Sequence, residues 1–173
     1  MTDILEILKY IIPSLIVFFT AYFLIKWFIT NDQKKRNFEI ISDSQKIITP
    51  IRLQAYERVT LFLERISPES LIMRVNQPGM TSKQLHSGLL SHIRAEFEHN
   101  LSQQIYMSHQ SWEIIKSAKG NITKIINTAA DRVKPEDPAL ELSKTILEMV
   151  MELDKSPITM AIECLKKEIQ QFY

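Results

Sequence analysis

The sequence predicts an all-α protein: an N-terminal transmembrane helix, continued as a stalk, followed by a cytoplasmic bundle of about five or six helices. The stretch from Tyr10 to Ile29 is almost wholly apolar. The rest of the chain repeats apolar residues at helical spacing, with no sustained strand alternation. Capping residues beside prolines divide it into segments of helical length. We therefore expect a membrane anchor over residues 1–30, a juxtamembrane stalk or linker over 31–49, and a helical domain over 50–173.

The apolar stretch, a span over about residues 10–29, is long enough to cross a membrane, because twenty residues of helix rise about 30 Å. No charged residue occurs between Tyr10 and Ile25. A cleaved signal peptide would need a basic start, whereas Asp3 and Glu6 precede this stretch. Aromatic and basic residues at its far end are the predicted membrane-interface residues: Lys26, Trp27, Lys34, Lys35 and Arg36.

The basic residues that flank the span predict its orientation. Lys9 alone lies on the N-terminal side, against Lys26 and the run from Lys34 to Arg36 on the other. Since basic flanks stay in the cytoplasm, we expect a bacterial inner membrane protein with its N-terminus outside and its C-terminal domain in the cytoplasm. The chain has one cysteine, Cys164, which suits a reducing compartment.

Composition excludes several functional classes. Only three glycines occur, too few for a phosphate-binding loop of the nucleotide-binding kind. The formal net charge is +1, so no broad basic field is available for nucleic acid. We therefore predict no nucleic-acid partner and no cofactor.

Capping residues and prolines along the chain predict where the helices begin. Four capping residues stand immediately before a proline, and Thr81 marks a fifth start without one. The four pairs are Thr49-Pro50, Ser67-Pro68, Asp137-Pro138 and Ser156-Pro157. The predicted helices cover residues 50–65, 68–75, 82–107, 109–133, 138–153 and 157–172.

Two apolar rows extend this prediction. In the stalk, Phe38, Ile41 and Ile48 lie at heptad-like spacing with Gln45 between them, a pattern that would pair with another copy or pack on the chain's own domain. In the helix over 82–107 the row has a residue at every fourth position, which predicts contacts with more than one neighbour. Its members are Leu85, Leu89, Ile93, Phe97, Leu101 and Ile105.

His92, Glu96 and His99 share one face of the predicted 82–107 helix. Glu96 and His99 form an E-x-x-H unit, which di-iron bundles use together with a second copy and further carboxylates. No second copy occurs in the sequence, so a solvated polar face is favoured. We predict no metal site and name these three residues as the only candidates for one.

Two stretches carry a family resemblance: RLQAYERV from Arg52 to Val59, continued by LERI, and EFEHN from Glu96 to Asn100, continued by QQIY. With the preceding span they resemble a family of small bacterial single-span membrane proteins that has a cytoplasmic helical domain and no assigned function. The resemblance covers most of the chain, implies a shared architecture and carries no catalytic residues. It directs attention to a candidate partner surface or polar network: Gln54, Glu57, Arg58, Glu96, Glu98, His99 and Asn100.

The leading functional hypothesis is a non-enzymatic accessory subunit or scaffold of a membrane-associated complex. It rests on the anchor and on apolar residues that cover most of the circumference of the 138–153 helix. One alternative is a homo-oligomer assembled through span and stalk. Another is a metal-binding helical enzyme that uses Glu96 and His99. The expected partners are membrane lipid and either a foreign protein, a second copy, or both.

Overall fold

The structure, a computed structural model, describes residues 2–171, with side chains from Ile11 onward except at positions 12–14, 37, 41 and 44. The prediction of an all-α fold is confirmed. The helices are α1 (Thr2–Arg65), α2 (Pro68–Val75), α3 (Ser82–Asn100), a 3-10 helix (Leu101–Tyr106), α4 (His109–Ala130), α5 (Ala139–Met151) and α6 (Pro157–Gln170). The side chains of Lys9 and Ile41, and the predicted helix end at Phe172, lie outside the described part.

The chain forms two compact units, Met1–Thr49 and Pro50–Tyr173. In the first unit, α1 exposes its apolar side chains, including Phe18, Phe23 and Trp27. By length and composition, the Leu15–Arg65 part of α1 is the one helix of the described chain that is apolar enough to cross a membrane, and none of its apolar window is buried. These side chains lack any protein cover within residues 2–171.

The predicted helix start at Thr49-Pro50 is wrong. The backbone of α1 stays helical through both residues. The ring of proline fixes φ near the helical value, so Pro50 removes one backbone hydrogen bond but does not force the chain to turn. The sequence signal for a start was therefore a proline inside a much longer helix.

The second unit packs around one hydrophobic core. On the α1 side it contains Tyr56, Val59, Phe62 and Leu63, all close to fully buried. The helix α4 packs on α3, α5 and α6, α3 also packs on α5, and α2 packs on α3 and α5. The fully buried side chains that these helices contribute include Leu85, Leu89, Ile115, Ile122, Leu142 and Ile146.

Helix starts after the first follow the predicted capping residues with two differences. Thr81 forms a complete capping box with Gln84 at the start of α3, and Ser156 caps α6 at the N–H of Ile158. Before α2, the Ser67 hydroxyl donates backward to the carbonyl of Glu64 instead. The predicted cap at Asp137 is wrong, because its carboxylate accepts from the Lys134 N–H within the loop and α5 begins at Ala139.

The prediction that one helix covers residues 82–107 is wrong in its last turns. α3 ends at Asn100, whose buried side-chain amide donates to the carbonyl of Glu96 (2.8 Å). A local bond of this kind competes with continuation of the helix. The predicted row of apolar contacts therefore ends before its last two members. Leu101 and Ile105 lie in the 3-10 helix with exposed side chains.

Replacement of two helical glycines by alanine is expected to change the free energy of unfolding in opposite directions. A Cβ at Gly88 would stand 2.8 Å from Cγ1 of Val75, whereas a Cβ at Gly120 would meet nothing within 4 Å. In Gly88→Ala the added methyl group must push α2 away from α3, and this overpacking destabilises the fold. The higher helix propensity of alanine offsets part of that cost, so the expected net loss in the free energy of unfolding is about 1–2 kcal/mol. Gly120→Ala is expected to gain about 0.5–1 kcal/mol. Urea unfolding of both variants checks this, and a stabilised Gly88→Ala would contradict it.

Candidate functional site

Glu96 lies at the centre of an ion-pair cluster that joins α1, α2 and α3. Nη1 of Arg65 contacts both of its carboxylate oxygens (3.2 and 3.3 Å), and Nη1 of Arg74 contacts one (3.4 Å). Arg74 also donates to the backbone carbonyl of Arg65 at the end of α1. The Glu96 carboxylate therefore connects three helices, although the exposure of both arginines limits the strength of each pair.

The predicted metal candidates lie beside this cluster. His92, Glu96 and His99 line a surface cavity of about 270 Å³ together with Arg65 and Ala95. His92 directs Nδ1 to the carbonyl of Gly88 (2.9 Å), and two guanidinium groups already hold Glu96. Among the side chains that the structure describes, no three of His, Cys, Asp or Glu are grouped to hold a metal ion. The metal-enzyme alternative stays a prediction.

The predicted polar surface divides between two helices. Gln54, Glu57 and Arg58 are exposed on α1, and no hydrogen bond or ion pair of the described residues includes them. On α3, Glu98 and His99 are exposed, whereas Glu96 and Asn100 have the contacts given above. The structure thus brings together only the α3 members.

A second polar cluster, which the sequence did not predict, lies at the start of α4. The carboxylate of Glu168, on α6, accepts the backbone N–H of Ser108 (2.8 Å), the N-cap residue of α4. Tyr56 of α1, whose side chain is 1% exposed, meets the same carboxylate. The negative charge thus lies at the positive end of the α4 dipole, where it is favourable.

The pKa values of this pair respond to the contact. Burial raises the pKa of the Tyr56 hydroxyl far above its usual range, and the neighbouring Glu168 carboxylate adds to the rise. For Glu168 itself burial acts to raise the pKa, but hydrogen bonds from Ser111, Tyr56 and Ser108 outweigh it, so the pKa is lowered. The cluster therefore holds a neutral tyrosine and an ionised glutamate.

Two further side chains extend the Tyr56–Glu168 cluster. Arg52, on α1, is half-buried and donates through Nε to the carbonyl of Tyr106 (3.1 Å). Sγ of Cys164 lies 3.6 Å from Oγ of Ser111. The available signal was the spacing of Arg52 and Tyr56, four residues apart on one helix face; nothing in the sequence pointed to Glu168 as their partner.

The predicted membrane-interface residues all lie exposed on α1. Lys26 holds Nζ 6.0 Å from the ring centre of Tyr22, and Arg36 pairs with Asp32 (2.9 Å). Trp27, Lys34 and Lys35 are also exposed. Lys26 has a stem long enough to bring its charge to a headgroup layer from within the last turn of a span.

Comparison with known proteins places the whole chain in one family. No curated protein and no solved structure matches it. A family model matches residues 2–172, a range that includes α1, both polar clusters and the core. The chain therefore belongs to DUF7935, a family of unknown function.

Proposed function

We propose that the chain is a membrane-anchored, non-enzymatic adapter whose helical body binds another protein. The observation that carries the proposal is a set of exposed apolar side chains around the α5–α6 connection, which we call the docking patch. Met151, the last residue of α5, is 84% exposed, and Leu153 within the connection and Met160 in α6 are exposed as well. Methionine side chains adapt to varied apolar partners, so such a patch suits docking of a protein.

Charge around this patch indicates the kind of partner. Glu152 and Asp154 are exposed in the same connection, and neither has an ion pair among the described residues. Nearby, Lys155 is paired with Glu163 (3.2 Å), so it does not offset them. The surface is apolar with an acidic border, and it favours a segment that is apolar and basic.

The carboxylates that a catalytic site could use already have structural contacts, and these contacts support a non-enzymatic role. Glu96 joins three helices through two arginines, and Glu168 caps α4. Both carboxylates therefore act in holding the body together.

The anchor and its direction belong to the same proposal. The exposed apolar side chains of α1 would lie in the bilayer of a bacterial inner membrane. Basic residues from Lys26 to Arg36 would hold the C-terminal side in the cytoplasm. In this arrangement the body is the accessory or scaffold part, and it is brought to a membrane complex by its anchor.

Co-purification from native membranes in mild detergent tests the proposal, with Met73 as the matched control. Met73 on α2 is exposed to the same 84% as Met151. We expect a protein that co-purifies in fixed ratio with the wild type and Met73→Glu but is lost from Met151→Glu, since an added negative charge opposes burial of the patch. Equal recovery from both variants would contradict the patch. No partner from any of the three would contradict the adapter role.

A further inference from the structure

The part of α1 that follows the apolar span carries a heptad row whose described apolar members, Phe38 and Ile48, are exposed. In the frame with Phe38 and Gln45 at positions a, positions d are Ile41 and Ile48. The side chain of Phe38 is 72% exposed and that of Ile48 52%. Large apolar side chains on a helix outside the bilayer gain free energy when another surface removes them from water.

Charge in this segment is kept away from that row. From Phe38 to Ile48 the charged residues are Glu39, Asp43 and Lys46, at positions b, f and b, on the far side of the helix. Asp43 and Lys46 pair with each other (3.0 Å). The positions that border the row, e and g, hold only uncharged residues: Asn37, Ser42, Ser44 and Thr49. An identical face meets no like charge there, so the row is self-complementary.

The same row continues into the apolar span. Steps of seven from Ile48 lead through Ile41 and Lys34 to Trp27 and Thr20. Thr20 and Trp27 line a surface concavity of about 660 Å³ on α1. Thr20 is a small residue whose hydroxyl donates to the carbonyl of Ile16 within the helix. Small residues of this kind allow close approach of two helices in a membrane.

Lys34 is the charged member of this row. It lies seven residues beyond Trp27, past the apolar span, where its stem can carry the charge outward to headgroups and water. It separates the row into a part inside the bilayer and a part outside it.

We propose that α1 pairs in parallel with α1 of a second copy of this chain, along the row Thr20, Trp27, Lys34, Ile41 and Ile48. The pairing rests on the anchoring in the proposed function, because two copies inserted with one topology present the row in the same direction. It is separate from the docking patch on α5 and α6. Two polar or charged positions, Gln45 and Lys34, fix the register of such a pair at some loss of stability.

Cysteine cross-linking of the full chain in native membranes tests the pairing, with Ile47 as the matched control. Cys164 is first replaced (Cys164→Ala), and Ile48→Cys or Ile47→Cys is then added. Ile47 lies at position c and is the more exposed of the two, 68% against 52%, so random collision would favour the control. With a mild oxidant, we expect a disulfide-linked species of twice the chain mass from Ile48→Cys and only a small fraction from Ile47→Cys. Equal fractions, cross-linking to a foreign protein, or no cross-link at Ile48 would overturn the proposal.

Light scattering in mild detergent gives a second reading that separates the pairing from the anchor. The wild type and Ile47→Glu are expected at twice the chain mass, and Ile48→Glu at the mass of one chain. A wild-type protein of single mass at every concentration overturns the pairing. Release of the wild type from membranes by alkaline carbonate would instead overturn the anchor, and with it the proposed function.

Discussion

Phe97→Ala is expected to lower the free energy of unfolding by about 3–5 kcal/mol, the largest loss of any substitution considered. The ring stacks on Trp112 with centroids 5.7 Å apart and meets Phe62 at 5.9 Å. Nζ of Lys119 lies 3.8 Å from the ring centre, a cation–π contact. Alanine removes these contacts together where Phe97 packs against the core between α1, α3 and α4.

Ile105→Ala is the matched control for Phe97→Ala, because the two residues belong to one sequence row. Ile105 is 73% exposed in the 3-10 helix, so its truncation is expected to change the free energy of unfolding by no more than about 0.5 kcal/mol. Urea unfolding in detergent, followed by Trp112 fluorescence in a Trp27→Phe background, measures both. A loss at Ile105 as large as that at Phe97 would mean that α3 continues as the sequence predicted.

Glu168→Ala is expected to lower the free energy of unfolding by about 2–4 kcal/mol, because it leaves the N–H of Ser108 without its acceptor and removes the carboxylate beside the buried hydroxyl of Tyr56. Glu163 on the same helix pairs only with the exposed Lys155, so Glu163→Ala is the control, with an expected loss below about 1 kcal/mol. Equal losses from the two variants would show that Glu168 acts only as a surface charge.

The pH dependence of this cluster has a definite sign. The folded-state pKa of Glu168 is lowered, so its ionised form stabilises the fold above the unfolded-state pKa of about 4.3. That contribution disappears as the pH falls through the folded-state value. The difference in unfolding free energy between the wild type and Glu168→Gln is therefore expected to be constant near neutral pH and to shrink on acidification. A difference that grows below pH 4 would contradict the assignment.

Sequence patterns predicted the features that depend on residues within a single helix, such as its continuity and its start. The apolar stripe through Gly120 predicted an unbroken α4, and the helix runs through that residue. The Thr81 capping box and the starts at Pro68 and Pro157 likewise depend on residues only a few positions apart. Such signals involve residues a few positions apart, so they can be recognised in the sequence without knowledge of how the helices pack.

The errors arise where two local signals compete. The capping residue before Pro50 predicts a helix start there, but the turns on both sides favour helix and α1 continues. At Asn100 the apolar row favoured continuation, whereas the side-chain amide ended α3. Sequence alone does not rank such signals, because the packing of neighbouring helices decides between them.

The Tyr56–Glu168 contact was missed for a different reason. Helical periodicity gives the face on which each residue lies, but not which faces of two distant helices meet. Tyr56 is buried on α1, and no sequence pattern links it to a carboxylate near the end of α6. The same limit applies to the ion pairs of Glu96 with Arg65 and Arg74, since they depend on the packing of α1, α2 and α3.

Labelling of a single cysteine with a membrane-impermeant maleimide tests the central claim most directly, namely that α1 spans a membrane and holds the body in the cytoplasm. Met73→Cys in a Cys164→Ala background supplies an exposed thiol on the body, outside the proposed docking patch. We expect labelling in inverted membrane vesicles and none in right-side-out vesicles until they are permeabilised. Equal labelling in intact right-side-out vesicles would contradict the orientation, and recovery of the protein in the soluble fraction would contradict the anchor.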